Sequence, residues 1–177
     1  MAKNALIVLA TAWGPKHGGI NSFNYDFVQA LGVAFHDKAD VLCIVPDAAD
    51  AEIENAHHAF VTLVRLHNPP QSGVLEAGYA AEIVRQLGNV VDTNTVWVGH
   101  DIFTGEAAVE AAAQTRSRAA LLNHMSYAAY KAFESGSAQQ AREKSRRQQA
   151  MFERATWLFS VGPLLRDELS DPHRLRA

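Results

Sequence analysis

Three polar clusters interrupt otherwise apolar stretches of this chain: Gly18-Gly19-Ile20-Asn21, Gly99-His100-Asp101 and Asn123-His124. Each can do a different piece of chemistry. Paired glycines let backbone N–H groups approach a ligand closely, and a helix start behind them favours negative charge. Gly18 and Gly19 therefore suit a phosphate or a polar sugar. His100 can hydrogen-bond a hydroxyl or transfer a proton, and the neighbouring carboxylate of Asp101 can set its state. Asp101 has a plainer alternative, which is to cap the following helix. His124 stands two residues beyond the apolar run Ala119 to Leu122, a position where ligand-binding groups collect in α/β proteins. Trp13, in the same loop as the glycines, offers an aromatic face to a sugar or base, or packs internally.

Several other chemistries lack their residues. No G-x-G-x-x-G follows the first apolar run, and no Gly-Lys-Ser/Thr completes a Walker loop. There is no G-x-S-x-G elbow and no Cys–His nucleophile pairing. Without an Asp-x-Asp pair, no divalent cation is expected between carboxylates and a diphosphate, and no metal or other cofactor is expected. His57-His58 and His67 have no ligand cluster around them. Read as part of a strand, adjacent histidines point to opposite faces and chelate one ion poorly. The charged run from Arg142 to Arg154 reads as a solvated helix face.

Positioning these clusters falls to alternating elements. Short continuous apolar runs at 5–10, 39–45, 59–66, 95–98, 119–122 and 156–161 read as strands buried on both faces. Helical patterns at 21–35, 74–87, 105–115, 138–154 and 163–169 lie between them. Ser72 is a candidate N-cap, Gly88 a candidate stop, and Pro163 suits a first helical turn. Trp97 and Trp157 are expected in the core. Alternation of this kind implies an α/β fold, a Rossmann-like doubly wound parallel sheet in the order 3-2-1-4-5-6. In that order the loops after strands one, four and five meet in one crevice, and the three clusters meet with them.

The length of 177 residues fits one domain. A net charge of −3 argues against nucleic acid as partner. The single cysteine, Cys43, is expected as a buried free thiol. No run approaches a membrane span and no signal-peptide pattern opens the chain, so a cytoplasmic setting is the default expectation.

The chain resembles the N-terminal domain of retaining glycosyltransferases of the GT-B fold, in family 4 (group 1). The resemblance spans nearly all of residues 1–177. It rests on the opening strand with Gly18-Gly19-Ile20-Asn21, on Val98-Gly99-His100-Asp101-Ile102, on Asn123-His124-Met125, and on the segment from Phe152 to Gly162. It implies a nucleotide-sugar donor, an acceptor hydroxyl and retention at the anomeric carbon. By the resemblance, Gly18 and Gly19 approach the donor diphosphate or sugar, and His124 contacts the donor sugar as the catalytic position. Asn21, His100 and Asp101 would line the acceptor side. The family lysine after the strand-five histidine falls at Tyr130, so Lys131, one residue later, is the candidate carried over. The family's Ala-Asp and Val-Ser stand here as Ala155-Thr156 and Val161-Gly162. Such enzymes use a second Rossmann-like domain to hold the donor. One half alone is expected to be inactive, and an open apolar cleft wall would favour self-association. Two rival readings are a non-catalytic module, either sugar- or nucleotide-binding or a partner subunit, and another doubly wound nucleotide-binding enzyme.

Overall fold

A computed structural model describes residues 4–127 and 138–170. Its centre is a sheet of six parallel strands in the order β3-β2-β1-β4-β5-β6. This is the expected doubly wound order. The strands are β1 (Asn4–Leu9), β2 (Ala39–Val45), β3 (Val61–Arg65), β4 (Val96–His100), β5 (Arg118–Asn123) and β6 (Trp157–Ser160). Successive side chains leave a strand on opposite faces, so each apolar run feeds two cores. Ile7 and Leu9 of β1 join Trp97, Leu121 and Met151 on one face. Val8 joins Val28, Cys43, Val98 and Leu122 on the other. Each fully buried aliphatic side chain contributes roughly 1.5–3 kcal/mol, so the two layers hold the sheet flat against its helices.

The helices are α1 (Gly19–Phe35), α2 (Asp50–His58), α3 (Ala80–Leu87), α4 (Asp101–Thr115), α5 (Ala138–Phe152) and α6 (Pro163–Ser170). α1 starts where Gly18 leaves the helical region at φ 92°, and it buries Asn21, Asn24, Val28 and Gly32 along one stripe. α5 docks on α4 through Arg147, whose Nε and Nη2 each donate at 2.9 Å to the Glu106 carboxylate, and through Arg154 to Glu110 at 2.8 Å. Part of the charged run is therefore a docking face. Pro163 opens α6, and Gly88 ends α3 at φ 53°, both as expected.

Four expectations are corrected, and the alternative left open at Trp13 is decided. Residues 50–58 form a helix, so His57 and His58 lie on the last turn of α2 and not in a strand. That helix has no side-chain N-cap; the Glu52 carboxylate instead accepts from the Ala49 amide at 2.8 Å. The helix expected over 74–87 begins only at Ala80, after a 3-10 turn at Ala77–Tyr79. The Leu75 amide is tied to the Phe103 carbonyl at 2.9 Å, and the Ser72 hydroxyl accepts from the Val74 amide in a local turn rather than capping α3. Trp157 is 41% exposed and not in the core, because β6 is an edge strand; Arg118 lies over its ring at 5.8 Å. Trp13 is 2% exposed, packs edge-on against Tyr25 and donates to Asn55 at 3.3 Å, so no face is open to a ligand.

Candidate functional site

The winding of the sheet reverses between β1 and β4, and the crevice at their carboxyl ends is where such sheets bind ligands. Three joints border it. The loop after β1 ends in Gly18 and Gly19 at the start of α1, which has no side-chain cap. The first amides of a helix have no intrahelical partner, so those of Gly19 and Ile20 are available to an anion. A methyl group added at Gly18 or Gly19 would touch nothing within 4 Å, so the space above them is open. Asn21, 7% exposed, is spent on bracing this loop. Its Nδ2 donates to the His17 carbonyl at 2.9 Å, and its Oδ1 accepts from the Ala12 amide at 3.2 Å.

The second joint has no loop at all. β4 ends at His100 and α4 begins at Asp101, whose φ is 42°. A left-handed backbone at a side-chain-bearing residue costs of order 1 kcal/mol and persists only where surroundings hold it. Here Thr104 holds it: its Oγ accepts from the His100 amide and donates to the Leu9 carbonyl, both at 2.8 Å. Asp101 does not cap α4. Its fully buried carboxylate accepts from the His124 amide at 3.0 Å and from Gln148 Nε2 at 2.9 Å. Burial raises its pKa to about 6, against the pull of those two donors. Gln148, from α5, also donates to the Met125 carbonyl at 3.0 Å, so a single side chain clamps the loop after β5.

That loop presents His124, half-buried at the crevice. Its Nε2 lies 2.9 Å from Nδ1 of His100. His100 is 1% exposed, and its Nε2 lies 2.9 Å from Asn24 Oδ1. Phe23, one turn into α1, meets the His124 ring edge-on at 4.9 Å and the His100 ring at 6.4 Å. Burial lowers His124 to about 4, and burial with the neighbouring His124 lowers His100 to about 3. Both rings are neutral imidazoles at physiological pH. Elements carrying Gly18, Gly19, His100, Asp101 and His124 are thus brought together, and of the two histidines only His124 keeps an open side.

Lys131 lies outside the described residues. Among the described residues, no group of three or more His, Cys, Asp or Glu is arranged to hold a metal, and no helix is long and apolar enough to cross a membrane. Cys43 is a buried free thiol, pushed up to about 12 by burial. The residues that build the site most directly, Asn24, Thr104, Gln148 and Phe23, carry no motif. One signal was visible: Asn24 sits among Asn21, Val28 and Gly32 on the buried stripe of α1, where an amide must find a partner.

A neutral histidine with one open side, packed against the first turn of α1 through Phe23, suits a polar, uncharged ligand group. Residues 7–175 match the model of a family described as family 4 glycosyltransferase in conflict systems. The chain belongs to that family. No curated protein matches it. In this family 4 glycosyltransferase domain the glycine loop follows β1, His100 ends β4 and His124 follows β5, three neighbouring strands of the sheet.

Proposed function

We propose that this domain forms one half of a retaining glycosyltransferase of the GT-B fold, moving a sugar from a nucleotide-sugar donor to an acceptor hydroxyl. The observation that carries the reading is His124, held neutral and half-exposed at the crevice, with the unpartnered amides at the start of α1 on the other side of Phe23. The amides after Gly18 receive the donor's diphosphate or sugar, and His124 contacts the sugar. The acceptor oxygen forms the new bond at the anomeric carbon as the bond to the diphosphate breaks. The leaving diphosphate oxygen takes the acceptor's proton. Protein groups orient the two substrates and stabilise charge.

His100 and Asp101 act here as positioning residues, since both are buried and their polar atoms are engaged by the protein. Among the described residues in the loops that follow β1, β4 and β5 up to the next helix, Lys16 is the lone lysine or arginine. One cation matches a diphosphate poorly. A second Rossmann-like domain supplies the rest in this reading, and the half described here does not turn over by itself.

The test is transfer by the intact protein across a panel of nucleotide sugars, with His124→Ala alongside. Removing a group that contacts the reacting sugar should lower kcat/KM about 100-fold while the circular dichroism spectrum shows the fold retained at the assay temperature. Wild-type turnover in a folded His124→Ala protein would reject the role of His124. Absence of any transfer or binding across the panel would reject the donor class.

A further inference from the structure

We infer that Asn24 is a positioning residue that fixes which nitrogen of His124 carries its proton, acting through His100. The argument follows the hydrogen bonds outward from the core. Asn24 is fully buried, and its Nδ2 donates to the sulfur of Cys43 at 3.7 Å. That contact turns Oδ1 toward His100 Nε2, 2.9 Å away. An amide oxygen only accepts, so His100 Nε2 is the N–H. A neutral imidazole has one N–H, so His100 Nδ1 is the bare nitrogen. It faces His124 Nε2 at 2.9 Å, and one of that pair must donate. The donor is therefore His124 Nε2. His124 is left with a lone pair on Nδ1, for which no described residue supplies a partner.

This direction has a consequence for ligand choice. Nδ1 of His124 accepts, so the ligand group that meets it must be a donor, a hydroxyl or an N–H, and a carbonyl or carboxylate there is disfavoured. Asn24 thus extends the site into the centre of the domain, through the side chains of His100 and His124. The consequence rests on the glycosyl-transfer reading, whereas the proton placement does not. Stability alone does not require this chain, since any satisfied partner would meet the needs of a buried histidine.

The test reads proton position directly. Two-bond proton–nitrogen NMR spectra of the 15N-labelled protein distinguish a pyrrole-type from a pyridine-type ring nitrogen, and His100→Gln and His124→Gln assign the two rings. The expected wild-type result is pyrrole-type Nε2 and pyridine-type Nδ1 on both. In Asn24→Leu, which keeps the shape and loses the acceptor, the His124 nitrogens should move toward each other as both tautomers become populated. A wild-type His124 protonated on Nδ1 would overturn the inference. So would a folded Asn24→Leu protein with unchanged His124 nitrogen shifts, because a merely structural Asn24 would lower Tm and leave those shifts alone. Should Asn24→Leu not fold, Cys43→Ala, which removes the atom that orients the amide, is read in the same way with the same two outcomes. The spectra need no sugar nucleotide, so failure of the glycosyltransferase reading would leave their result intact.

Discussion

At the scale of single residues, the site is a set of neutral rings and one buried carboxylate, and acid tells them apart. His100 and His124 are lowered from 6.5 to about 3 and about 4, so the unfolded chain takes up protons that the folded one refuses. Their contribution is complete above the unfolded value and is lost as pH falls. Asp101 runs the other way. Raised from 3.8 to about 6, it is protonated first in the folded state, so its contribution is present at low pH and lost as pH rises through about 6. Between pH 6 and pH 5 two histidines oppose one carboxylate, and these three groups make stability fall on acidification with a slope of about one proton. His124→Gln removes one histidine from that balance. Urea unfolding midpoints between pH 6 and pH 5 should then become nearly flat. An unchanged slope would show that His124 titrates normally in the folded protein. The histidines were legible in the sequence because they stand at the ends of apolar strands, and the glycine pair because it opens a helix. Their partners were not. Thr104 and Gln148 are ordinary helix residues until the backbone curls so that one meets the Leu9 carbonyl and the other Asp101.

At the scale of elements, close backbone approach decides where the helices sit. A methyl group on Gly32 of α1 would lie 2.1 Å from the Ala59 carbonyl oxygen, and one on Gly105 of α4 would lie 2.3 Å from the Met151 sulfur. The first obstacle is backbone and cannot yield; the second is a flexible side chain. Gly32→Ala should therefore cost more than Gly105→Ala, roughly 3 against 1 kcal/mol, read as denaturant midpoints at equal m-values. Equal losses would mean that α1 can lift from the α2–β3 turn. The strand order was legible because parallel strands buried on both faces read as unbroken apolar runs. Helix α2 was not. Its sequence, DAEIENAHH, buries only Ala56, so it shows no apolar stripe, and Ala49 supplies no capping oxygen. The start of α3 was misplaced for a related reason. The residues before it satisfy a helical pattern, but the tie from Leu75 to Phe103 holds them extended.

At the scale of the whole molecule, the sheet has two edge strands among the described residues, β3 and β6. β6 has no charge among Trp157, Leu158, Phe159 and Ser160, and Phe159 is 53% exposed. An uncharged, apolar edge strand is a template for pairing with another chain. Sedimentation at rising concentration should show association of the isolated domain, and Phe159→Glu should abolish it without lowering Tm. A monomer at every concentration would show that this edge is covered. The opposite character belongs to the joint between β4 and α4. His100 is the last residue of the strand and Asp101 the first of the helix, with Thr104 riveting both to β1. Proteins commonly retune a pocket by lengthening or shortening its loops, and this joint has no length to change. Changes of loop length at this end of the sheet are therefore left to the segments after the other strands, while the junction at His100 serves as the fixed datum against which they are set.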